Sequence, residues 1–258
     1  MMFMVKIITR KVKDIEPLEN ALLIEGLPGI GHVGRLAAEH LVHEFKGEKF
    51  LELFCYDFPP QVLVKDDGTI EYMCAEFYAI REPKPMIVVL GNTQALSPIG
   101  QYHLAEEIVK IGIEYGANFV YTLGGFGVGK LCEEVKVYGA TTSKELAKKL
   151  KEHDILFRTD GGGIVGAAGL MLMFADLNGI PGICLMGETP GYLIDPNAAK
   201  AVLEKFCKLE NIEINMEELE KRAKGMEQFI EKIKKFEEEM LKAAQAKPPS
   251  EEDLRYIG

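Results

Sequence analysis

Three glycine-rich segments are the parts of this sequence whose residue types and spacing could do chemistry. The first, Gly26 to Gly34, reads GLPGIGHVG. Its Gly29-x-Gly31-x-x-Gly34 spacing matches a dinucleotide fingerprint, in which backbone N–H groups at a helix start receive a pyrophosphate. That chemistry also needs an acidic residue about 20 residues on, at a strand end, to hold a ribose hydroxyl. Asp57 stands near that distance but inside a Phe-Pro-Pro turn. The segment is therefore read as a tight turn whose glycines supply backbone freedom and close helix packing. The second, Gly124 to Lys130, contains the G-x-x-x-x-G-K of a phosphate-binding loop, but Leu131 stands where a Ser or Thr hydroxyl would hold magnesium. It is read as a glycine-rich loop at a strand end. The third, Asp160-Gly161-Gly162-Gly163, has the composition of an anion nest, because glycine lets successive N–H groups converge. Gly29, Gly31, Gly125, Gly127, Gly162 and Gly163 are the expected lining of one crevice at the carboxyl edge of a sheet, where open α/β folds bind ligands.

The side chains offer less. Ser97 and Ser143 lack a G-x-S-x-G elbow, so nothing marks an activated serine. The histidines His32, His40, His43, His103 and His153 form no H-E-x-x-H pair. His40 and His43, three apart on one helix, are expected at the surface or in capping positions rather than as metal ligands. Glu188 and Asp195 flank a TPGYLI turn, and Asp195 before Pro196 suits a helix N-cap better than an acid–base pair. The cysteines Cys55, Cys74, Cys132, Cys184 and Cys207 are scattered, odd in number and without a C-x-x-C pair. They predict neither disulfides nor zinc, only small core residues in a reducing compartment. No catalytic residue, metal or cofactor is predicted.

The elements that must hold these segments follow from hydrophobic pattern. ALLIE at 21–25 reads as a buried strand that runs through the first glycine turn into a helical pattern over 33–45. Further strands are predicted over 49–56, 61–65, 69–79, 85–90, 119–123, 134–140 and 182–186, and helices over 99–115, 143–152, 166–178 and 196–209. The runs MIVVL, FVYTL and GICLM are almost wholly apolar, as strands covered on both faces must be. Segments 61–65 and 69–79, joined by Asp66-Asp67-Gly68, read instead as an antiparallel hairpin. The prediction is a three-layer α/β/α core with a mixed, largely parallel sheet.

After residue 210 the composition shifts to Glu and Lys with a thin apolar stripe. Met216, Leu219, Ala223, Met226, Ile230, Ile233, Met240 and Ala244 follow steps of three and four, with Glu237 interrupting the seam, which predicts a long amphipathic helix. Three regions result: a core over 1–210, the helix over 211–246, and beyond Pro248-Pro249 a tail within 247–258. Leu219, Met226, Ile230 and Ile233 are the residues expected to pack the helix or an oligomer. A net charge of −10 argues against nucleic acid, whose phosphates require clustered Lys and Arg. No apolar stretch reaches the 18 to 20 residues or so that span a bilayer, so a cytoplasmic protein is expected. Absent Trp and abundant Lys and Glu fit a thermophile.

GLPGIGHVG, the Thr122 to Gly127 segment, DGGGIVGAAGLML at Asp160 to Leu172 and GETPGYLIDPNAA at Gly187 to Ala199 together resemble the archaeal members of the proteasome assembly chaperone family, over Leu18 to Leu209. The resemblance implies a phosphorylase/hydrolase-like α/β/α core, homo-oligomers, and binding of a proteasome subunit or paralogous chaperone without covalent chemistry. It also implies docking by a C-terminal hydrophobic-Tyr-any motif whose carboxylate meets a lysine. Here the tail reads Leu254-Arg255-Tyr256-Ile257-Gly258, with Tyr256 third from the end and Arg255 in place of an apolar residue. These five residues are the expected partner contact. The alternative from the glycines alone is an enzyme or sensor for a nucleoside, nucleotide or other small anion.

Overall fold

Strand β2 (Ala21–Gly26) is buried at every position, and the sheet is built outward from it. A computed structural model of the protein describes residues 5–132, 134–159 and 161–226. On one side of β2 lies β7 (Met86–Gly91), and on the other lie β8 (Ala117–Gly127) and β10 (Gly182–Thr189), all parallel to it. These are the apolar runs, and sharing the centre of the sheet is what lets both of their faces be covered. The flanks are antiparallel. Strand β9 (Val137–Thr141) borders β10, while β6 (Ala75–Ile80), β3 (Glu48–Cys55) and β1 (Ile7–Lys11) continue beyond β7. The eight-stranded order is β1-β3-β6-β7-β2-β8-β10-β9.

Alternation along β2 assigns the layers, because successive side chains point to opposite faces. Leu22 and Ile24 join a core with Leu41 of α1 (Val33–Glu44), Leu150 of α3 (Lys144–Glu152) and Phe206 of α5 (Pro196–Glu210). Leu23 joins a second core with Leu104 and Ile108 of α2 (Pro98–Glu114) and Met171 of α4 (Ala167–Leu177). The molecule is thus the expected α/β/α sandwich around a mixed sheet. Ser97, Ser143 and Asp195 each cap a helix, accepting from the N–H of Gly100, Leu146 and Ala198 at 3.1, 3.2 and 3.0 Å. Both serines are therefore structural, with Pro98 and Pro196 at the first helical positions.

Several elements depart from expectation for local reasons. Strand β1 was not predicted: its outer residues are charged and exposed, as suits an edge strand. The predicted strand over 69–79 divides in two. Its first part, β5 (Ile70–Tyr72), pairs only with β4 (Val62–Val64) in a separate two-stranded sheet, and the chain bends before β6. Gly124 to Gly127 is not a loop but the end of β8, paired with β10 through Thr189. His40 is not on the surface: it is buried, and its Nε2 meets the Asn215 carbonyl at 2.6 Å. Cys132 lies outside the core, whereas the other four cysteines are buried.

A helix begins at 217 and is described through 226. Its Leu219 and Ala223 are buried, and Leu219 joins the α1–α5 core. The seam predicted from Met216 onward therefore begins by packing on its own chain. Ile230, Ile233 and the tail residues lie outside the described residues. Among the described residues, no helix is long and apolar enough to cross a membrane.

Candidate functional site

The glycines of the first two motifs serve each other. A Cβ at Gly34 would lie 2.0 Å from the Leu123 carbonyl oxygen, and one at Gly125 would lie 2.3 Å from that of Ile30. The turn between β2 and α1 is thus packed backbone against backbone on the end of β8, a spacing only glycine permits. The next element after Gly129 among the described residues is strand β9, not a helix, so the second motif lacks the helix N-terminus that receives a phosphate in a true phosphate-binding loop.

The third motif closes a crevice over these two. Phe157, Arg158 and residues 161–165, which precede α4, line it together with the end of β8, and the crevice has a volume of about 730 Å³. Gly29, Gly125, Gly127, Gly162 and Gly163 all contribute to its lining. Gly31 does not; it is buried behind that wall, against Thr189. The Arg158 guanidinium lies 5.1 Å from the centre of the Phe126 ring and against the backbone of Gly162, whose φ of +127° and lack of a side chain leave it room. Gln94 ties the walls together. Its Nε2 donates to the Pro28 carbonyl at 2.6 Å, and its Oε1 accepts from the Ala167 N–H at 3.4 Å, joining the β2 turn to the start of α4.

One group was missed by sequence reasoning. Glu25, read as part of a buried strand, also lines the crevice and is only 1% exposed. Its Oε1 accepts from the Leu27 N–H at 2.9 Å, while Oε2 has no hydrogen-bond partner among the described residues. Burial pushes its pKa up to about 8, against a smaller opposing effect of the Leu27 hydrogen bond. The available signal was a lone carboxylate ending an otherwise apolar central strand. The other charged side chains in the described lining are Lys144 and Arg158. Among the described residues there is no metal-holding group of three His, Cys, Asp or Glu side chains. Ser143 also lines the crevice, but its hydroxyl serves as the α3 cap. The arrangement offers recognition: an apolar wall, two cations and a buried carboxyl.

Two further features lie on the outer surface. Helix α4 is apolar nearly all round, yet Met173 and Leu177 on it are exposed, and on α2, whose Tyr102 meets Phe174 of α4, Ile99 and Tyr102 are exposed as well. The β4–β5 hairpin exposes Val62, Leu63, Val64, Ile70 and Tyr72.

The PAC2 family model matches residues 23–234 of the chain. The chain belongs to the PAC2 family. An uncharacterized protein from Methanocaldococcus jannaschii, MJ0106, is 31% identical over 224 residues, covering 87% of this chain and 88% of that protein. Among solved structures, PbaB of Pyrococcus furiosus, an archaeal proteasome activator, matches with a TM-score of 0.83 and 36% identity, covering 90% of this chain and 100% of PbaB. PbaA of the same organism, an archaeal homolog of proteasome-assembly chaperone, matches with a TM-score of 0.74 and 28% identity over 92% of this chain and 96% of PbaA. The PAC2 match spans all four motifs that carried the resemblance, so their shared order reflects family membership.

Proposed function

We propose that the protein is a non-catalytic, proteasome-assembly-chaperone-like member of the PAC2 family that homo-oligomerises and binds a proteasome subunit or a paralogous chaperone. The observation that carries this reading is the uncovered apolar face of α4. A helix apolar on all sides belongs in an interior, and Leu177 is 72% exposed. A second copy of the chain would complete that burial. The likeness to PbaB and PbaA supports the same class of role. Partner contact is assigned to the appended region after residue 210, with Leu254, Arg255, Tyr256, Ile257 and Gly258 as an apolar anchor behind a polar, proline-containing linker.

The test uses light scattering with size-exclusion chromatography, on the full chain and on a variant lacking 247–258, alone and with purified archaeal proteasome α subunits. The expected result is a discrete oligomer for both forms and comigration with the α subunits for the full chain only. A monomer that passes the α subunits without comigration would overturn the reading.

A further inference from the structure

Burying a polar group without a partner costs about 1–3 kcal/mol; the Leu27 N–H meets Glu25 Oε1, but among the described residues nothing meets Oε2. Its preceding strand neighbours Leu22, Leu23 and Ile24 are aliphatic and buried, so a leucine would suit the strand better than a carboxyl group. What Glu25 does have is a position on the crevice wall. That crevice falls within the roughly 300–1,000 Å³ usual for small-molecule sites. Its walls also carry Leu27, Ile30, Phe126 and Phe157. Although the whole chain has a net charge of −10, the charged side chains that accompany Glu25 in the described lining are the cations Lys144 and Arg158.

We infer that the crevice is a binding site for a small organic anion, a carboxylate or phosphate with an apolar body, whose hydrogen-bonding head group engages the Glu25 carboxyl while Lys144 and Arg158 meet its charge. The site goes beyond the assembly role and does not depend on it. A neutral carboxyl donates one hydrogen bond, so the unpartnered Oε2 would donate its proton to a ligand oxygen. Once ionised, the same group repels the anion. Cys184 on β10 is the titratable group whose charge is coupled to Glu25; burial pushes its thiol up to about 12, so it stays neutral where Glu25 titrates.

The experiment measures binding of phenyl phosphate and of benzoate to the full chain by calorimetry and thermal shift, with inorganic phosphate and phenol as probes that lack the apolar body and the charge. Saturable binding of one or both ringed anions is expected, at least about tenfold tighter than either control. Between pH 6.5 and 9.5 the affinity of the native protein falls by about tenfold or more, because Glu25 ionises. Glu25→Gln keeps a neutral donor and so binds with little change across that range. Glu25→Leu abolishes binding while the chain stays folded. The inference is overturned if neither ringed anion binds saturably, if inorganic phosphate binds as tightly as phenyl phosphate, or if Glu25→Gln shows the same pH dependence as the native protein. The last comparison keeps the test decisive should Glu25→Leu fail to fold.

Discussion

Two glutamates buried in the same sheet meet opposite fates. Glu25 sits in the parallel centre beside the crevice, with no cation bound to it among the described residues, and its pKa rises to about 8. Glu52 sits in the antiparallel wing, where β3 lies between β1 and β6. Burial pushes its carboxyl upward as well, but hydrogen bonds from Lys49 at 2.9 Å and Arg10 at 2.6 Å outweigh this and leave it below its ordinary value. Lys49 is shared with Glu76 at 2.8 Å, which also accepts from the Tyr78 hydroxyl through its other oxygen. The wing thus closes its own polar network, whereas the centre leaves one buried oxygen open. A closed network specifies structure; an open one leaves a group for a ligand.

The largest effect should come from the backbone packing that shapes the crevice. Gly34→Ala drives a Cβ into the Leu123 carbonyl and forces α1 away from β8, an overpacking cost of about 3 kcal/mol or more. In the separate β4–β5 hairpin, Gly68→Ala meets nothing within 4 Å and only strains a φ of +80°, so about 1 kcal/mol is expected. Urea denaturation of the two variants measures the contrast, and equal losses would break it. Next in size is Lys49→Met, which strands Glu52 and Glu76 and should cost about 2 kcal/mol, short of the full penalty for a buried pair because Arg10 remains. Glu25→Leu should instead gain up to about 1 kcal/mol, removal of the unmet Oε2 outweighing the loss of the acceptor for the Leu27 N–H. Opposite signs for these two are what the comparison requires.

The same contrast fixes the pH dependence. Glu25 holds its proton in the folded state after the unfolded chain has lost it, so its contribution to stability declines as pH rises from about 4.5 toward 8. Glu52 has a lowered folded pKa, so its contribution is present above about 4.5 and is lost as pH falls. Melting temperatures of Glu25→Gln and Glu52→Gln against the native chain should therefore diverge in opposite directions. Glu25→Gln gains most near pH 8, and Glu52→Gln loses least near pH 4. Parallel curves would show that both groups are equally solvated.

The central strands and helices α1 to α5 were legible because continuous apolar runs and capping residues are local signals, as at MIVVL and at Asp195-Pro196. β1 was not, because an edge strand with Thr9, Arg10 and Lys11 outward carries little hydrophobic pattern. The split between β5 and β6 was hidden too, since one run of strand formers says nothing about which neighbours each half will find. At the site, the glycines announced close approach but not of what. Their partners turn out to be the Leu123 and Ile30 carbonyls, long-range contacts that spacing alone does not encode. Glu25 was visible as a charge but not as a buried one. His40 misled for the same reason, since its acceptor comes from Asn215, 175 residues away.

The smallest stability effects are expected where surface apolar residues touch nothing, and there assembly is the informative readout. Val62, Val64 and Ile70 on the hairpin are 49, 73 and 48% exposed, with Lys65, Asp66 and Asp67 in the turn that joins its strands and Glu71 beside Ile70. Changing all three to Thr should move stability by no more than about 0.5 kcal/mol per site. Leu177→Asp on α4 should be equally mild for the isolated chain, since that side chain is already in water. The two should part company in solution mass. Leu177→Asp removes apolar area from a helix that has no polar face to spare, so the proposed oligomer should dissociate. The hairpin variant keeps it, because charged neighbours already hold that surface in water. Light scattering on both variants decides the matter: a hairpin variant that dissociates while Leu177→Asp stays assembled would move the proposed self-association face from α4 to the β4–β5 hairpin.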